Sequence, residues 1–471
     1  MSDRRVLELS KCSPQKPAGA TMLLAALMLG GLSVPLTPSY AQSSNAARAT
    51  PGMVRGGMVH GDMLHYRMKQ GDNLYVLAQR HMSTMTAVEK VQRLNRIANP
   101  RAVPVGTVIR IPVAYLKYRP EKARLVAWRG DVGVGKTGAP TVGMELGEGI
   151  AIATGQGGFV TLQLSNGSRV SIPSQSLVRI ARLREYSINQ ALDYEIAVDK
   201  GRLQTKAAPL KNPDSRYRIR TPIAVSAVRG TEFRIKLEGD EVPSLTEVLE
   251  GTVEVGAAAK GSPTTPVVKG EGLAVTSDGR NIAENLLPAP ELVRPGKVQK
   301  DETLSFEVAP VSGATRYHAI FATDASLSEQ FAETRSDTPV ITYPSIPNGR
   351  YYVRVSALSP NGFEGFPANY GFARRLSSVK GSAAPFASDG SVLFKWDAMG
   401  EGKIVHRFQL YRDSVESTPY IDEPGLAKSE IRLDRLPPGT WYWRVGISVF
   451  DDGAVTDSWT TAEKLIIARE E

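Results

Sequence analysis

Residues 221–237, TPIAVSAVRGTEFRIKL, constrain the fold of this chain more than any other stretch. Apolar residues fall at odd positions: Ile223, Val225, Ala227, Phe233, Ile235 and Leu237. Even positions carry Ser226, Glu232, Arg234 and Lys236, with Ala224 and Val228 as exceptions. A period of two puts one face of an extended strand against a core and the other towards solvent. Arg229 and Thr231 break the pattern, because parity would turn both inward. A buried guanidinium is costly unless it is paired. Gly230 between them can instead seat a bulge or tight turn that re-aims both side chains. Glycine inside a strand pattern favours the bulge. Arg229, Gly230 and Thr231 are therefore read as a building device and not as a reactive site.

Thr221-Pro222, a run of small apolar residues and then Val228-Arg229-Gly230-Thr231-Glu232-Phe233 resemble the signature of the FecR-type periplasmic domain. The neighbourhood agrees over residues 120–285. Trp128-Arg129-Gly130-Asp131-Val132, Asn166-Gly167-Ser168 and Lys200-Gly201-Arg202-Leu203 precede it, and Glu250-Gly251-Thr252-Val253 and Gly272-Leu273-Ala274-Val275 follow. Short alternating runs at 159–164, 169–172 and 177–180, punctuated by glycine, predict a β-sandwich or a short solenoid there. The glycines of 147–158 have no lysine at phosphate-loop spacing and read as turns.

Charge is unevenly distributed. Residues 42–120 hold twelve Lys or Arg against Asp62, Asp72 and Glu89, so this segment alone carries +9, equal to the formal charge of the whole chain. Such concentration points to an anionic partner for that segment. Within it, Tyr66-Arg67-Met68 is a short strand and Gly71-Asp72-Asn73 a turn; Leu74, Leu77 and Ala78 then give helical spacing. Asp72 or Asn73 is a ready N-cap. A second helix is predicted from about Thr86 to Asn95, and a second strand over 108–112. This strand–helix–helix–strand order resembles a LysM module, here placed at 64–114. Its marks are Gly71-Asp72-Asn73-Leu74, Leu94-Asn95 and Val105-Gly106-Thr107-x-Ile109-x-Ile111-Pro112. The resemblance implies binding to the N-acetylglucosamine-containing glycan of peptidoglycan, in a groove between the loop that opens the first helix and the loop before the second strand. The implied contacts are Asp72, Asn73, Leu74, Tyr75, Ile97, Ala98, Asn99 and Pro100. Polar side chains among them can bond hydroxyl and acetamido groups, while Leu74, Tyr75 and Ile97 can pack on the apolar sugar face. Asp72 and Asn73 as helix caps, and Leu74 as core, are the structural alternatives. Nucleic acid would also suit the charge, but the chain lacks ordered basic-aromatic platforms.

Residues 1–41 read as a signal peptide, with a basic start, an apolar run over 18–34 and Ser39-Tyr40-Ala41 as a cleavage site. An uncleaved anchor is the alternative. Cleavage would remove Cys12, the one cysteine, and with it disulfide, thiol and thiolate-metal chemistry. The expected location is the periplasm or cell envelope, with no stable membrane span in the mature chain. Residues 42–63 read as a flexible leader. His60 and His65 lie close together without a visible third ligand, so no metal or cofactor is assigned.

Residues 286–376 and 377–471 read as two β-sandwich repeats. Gly349-Arg350-Tyr351-Tyr352-Val353-Arg354-Val355 recurs as Gly439-Thr440-Trp441-Tyr442-Trp443-Arg444-Val445. That spacing suits immunoglobulin-sized sandwiches. Tyr317, Phe408 and the Asn361-Gly362 turn resemble fibronectin type III modules, with the aromatics as core. The whole is thus multidomain and mainly β, built from a small βααβ module, a β-rich FecR-like region and two sandwiches. The expected role is non-catalytic: an envelope protein that anchors on peptidoglycan and offers a FecR-like surface to an envelope protein partner. The FecR resemblance alternatively implies transmission of a signal to a sigma factor, for which the residues before 18–34 are too few to form a cytoplasmic domain. A peptidoglycan hydrolase is the third reading, and no HxH, HExxH or GxSxG motif supports it.

Overall fold

The computed structural model describes residues 63–136, 139–239, 242–259, 262–385, 391–434, 436–451 and 453–468. The expected signal peptide, its cleavage site and the leader lie outside these residues, apart from Met63, which opens the first strand.

That strand, β1 (Met63–Arg67), is followed by α1 (Leu74–His81), α2 (Ala87–Asn95) and β2 (Val108–Pro112). β1 and β2 pair antiparallel with Tyr66 opposite Ile109. Leu74, Leu77 and Ala78 of α1, Val88 and Val91 of α2, and Ile109 and Ile111 of β2 form one core. α2 ends where Arg96 takes up the left-handed conformation (φ 52°, ψ 42°). This small core is not closed by its own chain alone. Tyr186, Ile188 and Ala191, from the tip of a hairpin far along the sequence, are buried in it.

That hairpin consists of Ser176–Tyr186 and Leu192–Lys206, the two longest strands of the following region. Leu192–Lys206 joins two layers of strands. Its first part runs parallel to Arg216–Arg220, and its last part pairs antiparallel with Glu232–Leu237. Hairpins then alternate between the layers, and a single apolar core from Ala123 to Val275 lies between them. The region thus has two β layers around one core, with successive hairpins stacked along it in chain order.

Residues 221–237 do not form one bulged strand. Ala224–Val228 pairs with Arg216–Arg220 in the first layer, and Glu232–Leu237 pairs with Ser244–Glu250 in the second. Gly230 (φ +72°) makes the step between them. The step frees Arg229 from its inward parity: it is exposed and donates to the Leu210 carbonyl at 3.2 Å. Thr231 is buried at the corner, and its carbonyl accepts from the Ala207 N–H at 2.8 Å. The polar face does not meet solvent either. Ser226 is 1% and Arg234 8% exposed, so both faces of these strands are covered.

Two sandwiches follow. In the first, Leu304–Glu307 and Val340–Tyr343 face a four-stranded sheet ordered Gln330–Ser336, Arg316–Ala322, Gly349–Leu358, Ala368–Arg374. Tyr317, Phe306, Phe321 and Phe372 fill it. The second packs Phe394, Trp396, Phe408, Trp441 and Trp443. The repeated sequences lie on equivalent strands, Gly349–Leu358 and Gly439–Asp451. Arg374 is fully buried and ties the first sandwich together. It donates to the carbonyls of Gln299 (3.1 Å), Asp301, Glu302 (3.2 Å) and Ile346 (3.3 Å) and to Ser345 Oγ (2.9 Å). Among the described residues no helix is long and apolar enough to cross a membrane.

Candidate glycan-binding groove

Asn73 opens α1 because its side-chain oxygen accepts the Val76 N–H at 3.0 Å, satisfying a donor that the first helical turn leaves without a partner. Asp72 is engaged as well: Oδ2 accepts from the Lys69 N–H and from the Tyr66 hydroxyl, each at 2.8 Å. Burial, then that bond and the nearby carboxylate charge, push the Tyr66 phenol up to about 12. The two predicted loops meet directly, since the Leu74 N–H donates to the Pro100 carbonyl at 2.9 Å. Asn99 shapes the second loop by accepting the Arg101 N–H at 2.9 Å. Gln92 Nε2 holds the Ile97 carbonyl at 3.0 Å.

Between these loops Tyr75 is 40% exposed, while Ala98 and Asn99 are exposed and Ile97 and Pro100 are partly covered. Leu74 requires a correction. It is wholly buried, because the first residue of α1 points its side chain into the small core, and only its backbone borders the groove. Arg101 closes the second predicted loop, Ile97 to Arg101, but is not among the implied contacts; its guanidinium sits 5.3 Å from the Tyr75 ring centroid. The rim is therefore an aromatic face flanked by amide and guanidinium donors, a combination able to stack on a sugar ring and bond its substituents.

Arg229, Gly230 and Thr231 lie outside the groove, in the two-layered region, and bring no reactive group together.

A second feature escaped the sequence reading: the seam between that region and the first of the two sandwiches that follow. His318 is buried there with Nε2 at 2.9 Å from Glu333 and Nδ1 at 3.2 Å from Glu364. Nε2 hydrogen-bonds Glu333 and Nδ1 lies at ion-pair distance from Glu364, and two carboxylates so close favour the imidazolium. Arg202 lies 2.6 Å from Glu333, and Arg234 bridges Glu247 (2.7 Å) and Glu364 (2.9 Å). Arg354 donates to Gln204 at 2.8 Å. Burial resists ionisation of Glu364, but Arg234 and His318 hold it well below the usual carboxylate range. Burial pushes Glu247 up in spite of Arg234. These residues come from four distant parts of the sequence, which no local pattern connects.

Residues 66–112 match the LysM domain family, and residues 150–254 match the FecR protein family. LysM and FecR are binding and signalling domains without catalysis of their own and are typical of envelope proteins. No curated protein matches the chain. Among solved structures, the chain is similar to a protein from Parabacteroides distasonis described as an anti-sigma factor, with 18% identity over 29% of this chain and 59% of that one, at a TM-score of 0.24. It is also similar to a two-domain fibronectin type III segment of chicken tenascin, with 16% identity over 39% of this chain and all of that one, at a TM-score of 0.19. The chain spans little more than half the length of the anti-sigma factor structure. What the comparisons establish is a chain that combines a LysM domain with a FecR region.

Proposed function

We propose that this chain is an exported, non-catalytic cell-envelope protein that grips the N-acetylglucosamine-containing glycan of peptidoglycan through residues 66–112 and displays its FecR region to an envelope partner. The observation that carries this reading is the LysM match coinciding with two loops bonded side by side, with Tyr75 and Asn99 open to solvent. Tyr75 offers the stacking face, and Arg101 and Asn99 the polar contacts. The +9 charge of residues 42–120 draws the module to a sacculus bearing stem-peptide carboxylates. No cofactor enters.

The test is co-sedimentation of the full chain with purified sacculi. Tyr75→Ala with Asn99→Ala is expected to reduce binding at least tenfold while circular dichroism stays unchanged. Binding carried by glycan contacts persists as the Debye length falls from about 10 Å at 0.1 M to about 3 Å at 1 M salt. Unaltered retention by the double variant, or complete release by salt, would overturn the reading. Release of soluble fragments from labelled sacculi would favour a hydrolase. The FecR match supports a second role, sensing within a signalling system, which the partner surface described next can carry.

A further inference from the structure

The seam opens on one side into a cleft of about 1100 Å³. One wall is the strand Gln330–Ser336, and the way it lines the cleft is informative. Phe331, Ala332, Glu333, Thr334 and Arg335 all border the space, five residues in succession. Side chains of a strand alternate between faces, so a cleft lying against one face would touch every second residue. Contact with each residue in turn means that the cleft runs along the strand's edge. That edge is open. Gln330–Ser336 is the outermost strand of its sheet and pairs only with Arg316–Ala322. Among the described residues no backbone hydrogen bond reaches Phe331–Arg335 from the other side. Every second residue of an edge strand turns its N–H and C=O away from its partner, so a row of unsatisfied donors and acceptors faces the cleft.

The opposite wall is the two-layered region, through Gln156, Gln175, Leu177 and Lys200. Gln175 is held in the left-handed region (φ 57°), a conformation uncommon outside glycine and asparagine. Glu333 closes the floor by reaching across to Ser174 and Arg202. Five strand residues span about 17 Å, long enough for a pentapeptide in extended form. The charged lining, Lys200, Arg202 and Arg335 against Glu238 and Glu333, has one cation in excess. Arg202 pairs with Glu333 and the 40% exposed Arg335 with Glu238, while Lys200 is exposed and makes no ion pair among the described residues.

We propose that this cleft docks an extended polypeptide segment of a partner protein, which adds as a strand to the open edge of Gln330–Ser336 and presents an acidic side chain to Lys200 and Arg335. A volume of about 1100 Å³ along about 17 Å of edge suits one extended chain. A glycan could fill the volume, but a row of alternating backbone donors and acceptors is matched by another strand. The inference stands apart from the anchoring role, because peptide binding is measured without sacculi.

A phage-displayed library of random dodecapeptides, selected on the full chain, provides the probe. Enriched sequences are expected to be free of proline, to carry an acidic residue, and to lose at least tenfold affinity as synthetic peptides when alternate amides are N-methylated. Gln156→Trp fills the cleft from the far wall without touching the edge strand and should abolish binding with an unchanged melting temperature. Should that variant fold poorly, Lys200→Glu serves instead: affinity for the acidic peptide falls at least tenfold and recovers when the peptide acid is replaced by lysine. The proposal is overturned if selection enriches the same peptides on Gln156→Trp, if N-methylation is tolerated at every position, or if chitotetraose displaces the peptide from the cleft.

Discussion

Replacing His318 with glutamine leaves Glu333 and Glu364 facing one buried site without the cation between them. Removing one partner of a buried ion pair costs about 3–5 kcal/mol. Arg202 on Glu333 and Arg234 on Glu364 offset part of that loss, so about 2–3 kcal/mol is expected. For a cooperative unit of this size that is a fall in melting temperature of roughly 4–12 °C. The dependence on pH follows from opposing influences. Burial pulls the imidazole down, but Glu364 and Glu333 push it up further, so His318 stays above its ordinary 6.5. A group raised on folding gives stability that is complete below about pH 6.5 and lost as the pH climbs through its folded value. Glu333 and Glu364 are held low, so their contribution is complete above about pH 4.5 and lost as the pH falls through their folded values. Arg202, Arg234 and Arg354 keep their charge throughout. Glu247, raised by burial, loses its contribution as the pH climbs above about 4.5, so Glu247 and His318 both loosen the seam on the alkaline side. Scanning calorimetry of wild type and His318→Gln from pH 5 to 9 reads both effects, and the gap between them should narrow as the pH rises. A gap under 1 °C at pH 6, or one that widens towards pH 9, would refute the reasoning.

Gly230→Val should cost more than about 1 kcal/mol, because φ is +72° and a Cβ there would meet Pro209 Cα at 3.2 Å; an unchanged thermal midpoint would make the glycine incidental. Arg374→Met deletes the buried guanidinium that ties the Asp301, Glu302 and Ile346 carbonyls together, while the Gln299 carbonyl keeps the Arg375 N–H; urea titration should show a loss of about 1–3 kcal/mol. Ile188→Ala, at the tip of the long hairpin, should cost about 2–4 kcal/mol and reduce hydrogen-exchange protection in β1 and α1 as well as in the hairpin.

The small module was legible because local rules govern it: Asn73 caps, Leu74, Leu77 and Ala78 share a helical face, and Ile109 and Ile111 alternate on a strand. The same rules foresaw the β content elsewhere but misread residues 221–237. A period of two tells which face is apolar and says nothing about what covers the polar one. Here Glu247 and Glu364 cover it, which is why Arg234 is buried. Gly230 was legible as an irregularity, yet the choice between a bulge and a change of layer depends on partners remote in sequence. For the groove, sequence named the two loops and missed their junction, because the Leu74–Pro100 bond joins backbone atoms whose residue types give no sign of it.

The hairpin Ser176–Tyr186 with Leu192–Lys206 reaches two places at once. One end, at Tyr186 and Ile188, is plugged into the core beneath the groove; the other, at Ser176 and Lys200-Gly201-Arg202, borders the cleft and the seam. Eleven residues of strand make a strut about 36 Å long. A pull applied at the groove is thus borne lengthwise by paired strands, whose hydrogen bonds share the load in shear. The strut sets a fixed standoff between the groove and the cleft, so a force applied at one end would reach Arg202 and Glu333 without a slack tether between them.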